Sequence, residues 1–476
     1  MTDHTPAAGG SETTDGFDRR LIPPMMLGSV LNPINSTIIA VALVPIGAAL
    51  GAPPSQTAWL VSALYLATAL GQPVVGRLID LFGPRRLFLI STSLVGIAGV
   101  IGTVAPNLGM LIAARVVLGF GTCAGYPAAM ALLRSEAQRT GQDNPAGVLT
   151  ALAVANQTIS VIGPLLGGLL IDVGGWRATF ALNIPLSAAA VLLGLLRLPR
   201  QPDAGTAPRP GPLAEQLDLP GMALFAAMLM SLLLFLMNLH LTSWYLLVIA
   251  AAAGTAFAVR ELRAATPFID LRVLRGNTPL LATYGRALVA YTVSYAFLYG
   301  FTQWTEEGFG LSPFQAGLVQ IPMFIVSIVI SVVTGRRKGV RAKLLVGAIG
   351  QIAACLLMLT LSTSSPLWTL LVLAVILGVP QGLNSLALQN SVYYQADPER
   401  TGSSAGLLRT FGYLGSMIAS ATTAASFGQR ADTAGMHNLA WVMLGAGILF
   451  LLVTVVDHSL RHVAATEPAT ETKLTT

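Results

Sequence analysis

Apolar runs of roughly twenty residues follow one another along the whole chain, separated by short polar loops. A helix of about twenty residues crosses about 30 Å of hydrocarbon, and only segments that satisfy their own backbone bonds survive there. Charged residues make up 10% of the chain and hydrophobic ones 54%, with a mean hydropathy of +0.70. The pattern predicts an all-α integral membrane protein with fourteen transmembrane helices. The spans read as 21–49, 56–80, 86–105, 108–133, 146–171, 178–197, 219–238, 243–260, 278–303, 313–334, 343–362, 366–391, 403–427 and 437–456. An even number leaves both termini on one side.

The basic residues assign that side. Of 27 Lys and Arg, 22 fall in loops and tails on the side of the N-terminus. Arg177 and Arg430 fall on the other side, and Arg115, Arg286 and Arg409 fall inside spans. Positive charge is retained in the cytoplasm, so both termini are expected there, in a bacterial plasma membrane. The net charge of +6 then belongs to loops facing anionic lipid headgroups and calls for no nucleic acid. Cys123 and Cys355 both lie in spans, which implies neither a disulfide framework nor a zinc site.

Residues 1–18 are polar and acidic, unlike a signal peptide, and read as a disordered cytoplasmic N-terminus; residues 458–476 read as a similar tail. Between 199 and 217 lies a polar stretch with Pro202, Pro208, Pro210 and Pro212, the composition of a linker. The expected organisation is a six-helix bundle over 19–198, this linker, an inserted helix pair over 218–262 and a second six-helix bundle over 263–457. A faint repeat supports two pseudo-repeated halves. Gly76-Arg77-Leu78-Ile79-Asp80-Leu81-Phe82-Gly83-Pro84-Arg85-Arg86 follows the second span, and Gly335-Arg336-Arg337-Lys338-Gly339-Val340-Arg341 occupies the matching place later.

The first of these segments resembles the loop signature of the major facilitator superfamily: glycine, aspartate, glycine, then paired basic residues. Leu111-Ile112-Ala113-Ala114-Arg115-Val116-Val117-Leu118-Gly119 is similar to that superfamily's fourth-span arginine motif. Gly163-Pro164-Leu165-Leu166-Gly167-Gly168 is similar to the fifth-span motif of its antiporters, although Ile159 stands where a further glycine is expected. Gly175-Trp176-Arg177-Ala178-Thr179-Phe180, Pro267-Phe268-Ile269-Asp270-Leu271-Arg272 and Gly310-Leu311-Ser312-Pro313 resemble segments of the fourteen-span drug–proton antiporter branch. The resemblance implies two bundles rocking about a central site. It implies a conformational latch at Gly76, Asp80, Gly83, Arg85 and Arg86. One departure bears on mechanism: Asn35 stands where the branch usually carries a first-span aspartate, and an amide does not exchange a proton near neutral pH.

No carboxylate or imidazole falls near mid-bilayer in this reading. Glu306 sits just past the ninth span, near solvent at the outer mouth, and is the candidate proton site; weak coupling is the expectation. The intramembrane arginines each need a cavity or a partner. Arg115, Arg286 and Arg409 either line a positive cavity for an anionic or carbonyl-rich substrate, or bond backbone carbonyls and snorkel. Asn35 and Gln157 are the amides assigned to the cavity, since spans 1 and 5 line it in the superfamily. Tyr291, Tyr295 and Tyr299 recur at every fourth residue and share one helix face, which fits either lipid or the transport path.

No nucleophile–base pair, metal cluster or GxxxxGK[ST] phosphate loop occurs, so no enzyme, cofactor or ATP-driven pump is expected. The expected protein is a monomeric secondary transporter among membrane lipids, exporting amphiphilic small molecules by alternating access. A carrier for a specific anionic metabolite or lipid is the alternative.

Overall fold

The structure is a computed structural model and describes residues 18–140, 146–199, 218–237, 243–264, 267–269, 271–274, 276–335, 339–396, 401–457 and 460. At some helical positions, Arg77, Asp80, Asn156 and Gln157 among them, only the backbone is described. The expectations of disordered termini and of the 199–217 linker fall almost wholly outside these residues.

The described residues are helical, and eleven helices are long and apolar enough to cross a membrane. Three expected spans are missing from that set: 146–171, 278–303 and 403–427. Each is nonetheless a helix, Ala146–Gly174, Thr278–Ala296 and Thr401–Phe427. The last two carry Arg286, Tyr291, Tyr295, Arg409 and Tyr413, and such groups accumulate where a helix faces other protein instead of lipid.

In chain order the helices are α1 (Ile22–Ile38), α2 (Leu43–Leu50), α3 (Pro54–Thr57), α4 (Trp59–Phe82), α5 (Pro84–Val104) and α6 (Leu108–Thr122). Next come α7 (Gly125–Thr140), α8 (Ala146–Gly174), α9 (Arg177–Ala181) and α10 (Asn183–Arg197). Then follow α11 (Leu219–Met237), α12 (Trp244–Arg263), α13 (Thr278–Ala296) and α14 (Pro313–Gly335). The chain closes with α15 (Val340–Met358), α16 (Leu367–Gln395), α17 (Thr401–Phe427) and α18 (Thr433–Val456). Helices α1 to α10 pack among themselves, and so do α13 to α18. Two contacts chiefly join the groups: α8 against α14, and α4 against α17.

Small residues allow the first of these contacts. A Cβ at Gly168 would overlap the backbone of Phe314, and one at Gly317 would sit 2.7 Å from the Pro164 carbonyl oxygen. Backbone-to-backbone approach of this kind is how helices gain dispersion energy where lipid is as apolar as leucine. Gly163 presses α8 onto Thr37 of α1, so the glycine-rich segment of the fifth span is a seam on two sides.

The helix pair α11–α12 packs on itself, with α11 also leaning on α4 and α17 where the groups meet. Its base is a polar knot. Asp218, only 2% exposed, accepts from the backbone N–H of Gly221 and Phe268 and from Arg260 Nε and Nη2, at 2.7–3.1 Å. Glu261, fully buried, accepts from Ile269 N–H at 2.8 Å. Burial alone raises the Asp218 carboxyl, but the Arg260 and Gly221 bonds outweigh it and hold it below its ordinary value. A carboxyl depressed on folding stabilises above its unfolded value, and that contribution fades as pH falls through the folded one. Asp218→Asn is therefore expected to lower the melting temperature at pH 7, with the gap from the native protein closing below about pH 4. A pH-independent gap in a thermal-shift series would contradict this.

Candidate functional site

Positions are given relative to the face where the chain begins and ends, the terminus face, and the opposite far face. The two helix groups meet tightly toward the far face. Ser55 N–H donates to the Gly428 carbonyl at 3.1 Å, and Ser420 Oγ donates to the Ala58 carbonyl at 2.8 Å. Deeper in, Tyr65 of α4 and Tyr299 beyond α13 meet hydroxyl to hydroxyl at 3.1 Å, and Tyr299 also donates to the Ser36 carbonyl at 3.1 Å. Both tyrosines are about 1% exposed.

Arg115 underlies this plug. Its Nε donates to the Leu60 carbonyl at 2.8 Å and its Nη1 to the Asn35 carbonyl at 3.1 Å. It is 2% exposed, and its Nη2 has no hydrogen-bond partner. The Asn35 carbonyl lies about one turn before α1 tightens into the 3-10 turn Ile39–Val41, and the Leu60 carbonyl lies at the start of α4. Arg115 thus reads as a backbone stitch in its far half and an unfilled donor in the remainder.

On the terminus side of the plug lies a cavity of about 100 Å³ between the groups, lined from α1, α4, α6, α7 and α17 by residues that include Asn32, Thr68, Gln72, Tyr126, Arg409 and Tyr413. Tyr413 donates to Gln72 Oε1 at 2.7 Å across the groups. The Arg409 guanidinium stands 4.0 Å over the Tyr126 ring, with no acidic partner among the described residues. Above the cavity two tyrosines of α13 and one from the π turn after it form a column. Tyr291, Tyr295 and Tyr299 stack at 6.3 and 5.7 Å between centroids, and Tyr65 meets Tyr295 edge-on at 5.6 Å. Of the two faces open to this stripe in the sequence, it takes the protein interior.

Other sequence expectations land elsewhere. Arg286 was assigned to the cavity, but it is fully buried in an ion pair with Asp457 at 2.7 Å and a bond to Thr283. Its partner comes from just past the last helix, outside every span. Asn35 was also assigned to the cavity, but its side chain is consumed by a reciprocal amide pair with Asn183 of α10, at 2.7 and 2.9 Å. The side chains of Gln157 and Asp80 lie outside the described residues. Around Asp80, Gly83 breaks the chain at φ 82° between α4 and α5, and Arg85 donates to the Leu195 carbonyl at 3.2 Å. The sequence reading missed Tyr65, Tyr126, Tyr413, Gln72 and Asn183. Tyrosine in an apolar span was the available signal, since its hydroxyl needs a partner there.

Glu306 departs furthest from expectation. It was placed near solvent, yet it is 7% exposed and neither carboxylate oxygen has a hydrogen-bond partner. The cause lies in the backbone. Beyond α13 the chain runs through two π-helical turns, Phe297–Phe301 and Trp304–Gly308, and Phe309 N–H bonds back five residues to the Trp304 carbonyl. Wide turns of this kind are frequent at functional sites. Neighbouring Glu307 instead pairs with Arg430 at 3.6 Å, accepts from Ala431 N–H and lines a separate far-face cavity of about 350 Å³.

The Tyr299 hydroxyl is one identifiable tie across the plug. Tyr299→Phe removes two bonds of about 1 kcal/mol each, a shift of up to about thirtyfold toward an open far face. A cysteine at Ser55 is expected to react about that much faster with a membrane-impermeant maleimide in this background. An unchanged labelling rate would show that the hydroxyl carries none of the seal.

The Major Facilitator Superfamily profile matches residues 25–420. The uncharacterized MFS-type transporter YwoD of Bacillus subtilis is 32% identical over 90% of this chain and 94% of its own. The methylenomycin A resistance protein of Streptomyces coelicolor is 26% identical over 95% and 94%. Among solved structures, a proton dependent oligopeptide transporter aligns at TM-score 0.66 and 13% identity, over 94% of this chain and 99% of that one. The nucleoside transporter NupG aligns at TM-score 0.63 and 12% identity, over 91% and 99%. These two speak to fold alone, and they agree with the helix packing above. With the sequence match running through most of its spans, the chain belongs to the Major Facilitator Superfamily.

Proposed function

We propose that this protein exports amphiphilic small molecules by alternating access, as a member of the fourteen-span drug–proton antiporter branch with both termini in the cytoplasm. The observation that carries the reading is the one-sided closure: a tyrosine plug toward the far face above a polar, aromatic cavity on the terminus side. That is the arrangement a carrier takes when loading from the cytoplasm. Related proteins favour export by their names, including the tetracenomycin C resistance and export protein of Streptomyces glaucescens, 26% identical over 88% of this chain. The riboflavin transporter RibZ of Clostridioides difficile, 26% identical over 84% of this chain, extends the range to an aromatic metabolite. The fourteen-span count takes α8, α13 and α17 as crossing helices.

Coupling to protons runs through Glu306 in this reading. A carboxylate is costly to bury without a partner, so sealing the far face and taking up a proton at Glu306 are linked. Glu307 and Arg430 are its charged neighbours, already paired to each other. Acid outside then favours return of the emptied carrier to its sealed form. Export from vesicles is expected to accelerate with an acid-outside gradient, and Glu306→Gln to remove most of that acceleration while sparing binding. Equal acceleration in the mutant would exclude Glu306.

The Gly76–Arg86 segment completes the proposal as the latch at the terminus face. Asp80→Asn is expected to cut export at least about tenfold with the protein still folded, as loss of a charge-assisted bond implies. Native flux in that mutant would refute the latch.

A further inference from the structure

We propose that the cavity selects planar aromatic anions. This rests on the transporter reading and names the charge class of its substrate. Four observations converge. Arg409 is the one charged group among the described residues of the cavity wall, and it makes no hydrogen bond or ion pair there. Its guanidinium lies over the Tyr126 face at 4.0 Å. A ring face steadies a guanidinium without neutralising it, so the planar fork keeps its donors for a ligand. Among its described residues the remaining wall is hydroxyls, amides, tyrosine and Pro33, with no carboxylate to receive a cation.

The path onward repeats the same chemistry. From Tyr413 and Tyr291 the aromatic column leads through Tyr295 to the Tyr65–Tyr299 plug. Beside the plug, fully buried, waits Arg115 with Nη2 unpartnered. An unfilled guanidinium nitrogen in a dry site is costly to leave so, and an anion reaching the plug would fill it. A route with a guanidinium at each end and stacked tyrosines between them suits a flat ring bearing a carboxylate. Arg forks bind carboxylates bidentately, and aromatic rings offset-stack at the spacings seen here. A cation on the same ring would meet two like charges and no counter-ion.

The test uses two ligands of matched shape and opposite charge, 1-naphthoate and 1-naphthylmethylammonium. Equilibrium binding is measured to the purified full-length protein at pH 7.5. The native protein is expected to bind the carboxylate at least about tenfold more tightly than the ammonium. Arg409→Gln is expected to reduce that ratio to about twofold or less, and Arg409→Lys to retain an intermediate preference for the anion, because lysine keeps the charge and loses the fork. Arg409 makes no hydrogen bond or ion pair among the described residues, so both variants are expected to fold, and their melting temperatures check it. Equal binding of the two ligands, preference for the ammonium, binding of neither, or an anion preference untouched in Arg409→Gln would each overturn the proposal. Export measured separately in vesicles would then still stand or fall with the transporter reading alone.

Discussion

A polar group inside a bilayer has no water to bond, so each must find its partner within the protein. The arrangement of this transporter follows from how that requirement is met. Arg115 is satisfied by two main-chain carbonyls, Asn35 by the amide of Asn183, and Arg286 by Asp457. Each bond joins helices far apart in sequence, so the polar residues act as fasteners as well as solutes. Where the requirement is left unmet, as at Arg115 Nη2 and Glu306, the molecule holds unspent bonding capacity beside the plug.

The two groups of helices are held apart in function by the way they touch. Close backbone contact at Gly168 and Phe314 gains dispersion energy without interlocking side chains. Such a surface can pivot. The hydrogen bonds at Tyr65, Tyr299, Ser55 and Ser420 are few and directional, so they set which side is closed at modest cost in stability. The helix pair α11–α12 leans on this same joint through α4 and α17, while its own base is tied by Asp218 and Glu261 to the segment leading into α13.

Much of this was legible in the chain. Span length and charge alternation delivered the helical membrane architecture, and short motifs pointed to the superfamily. The two helices with too many polar residues to stand out by hydropathy, α13 and α17, were still visible from loop spacing. Partners were not legible. Asp457 lies 171 positions from Arg286, and Asn183 lies 148 from Asn35; no local pattern joins them. The tyrosine stripe was plain at a 3.6-residue period, but the direction it faced depended on neighbours. Glu306 was misplaced because that period ceases at Phe297, where each π turn admits an extra residue.

The ion pair at the end of α18 gives the tail an unexpected weight. Asp457 directly follows a nearly uniform apolar helix, and from sequence it marks the point where the fold stops and dispensable chain begins. In three dimensions it is the counter-ion of a guanidinium that has no water around it. The folded unit therefore includes this carboxylate, and a chain trimmed a few residues earlier would not merely be shorter. It would carry a naked positive charge in the packed base of α13, directly below the tyrosine column, and the damage would surface in the transport path and not at the end that was cut.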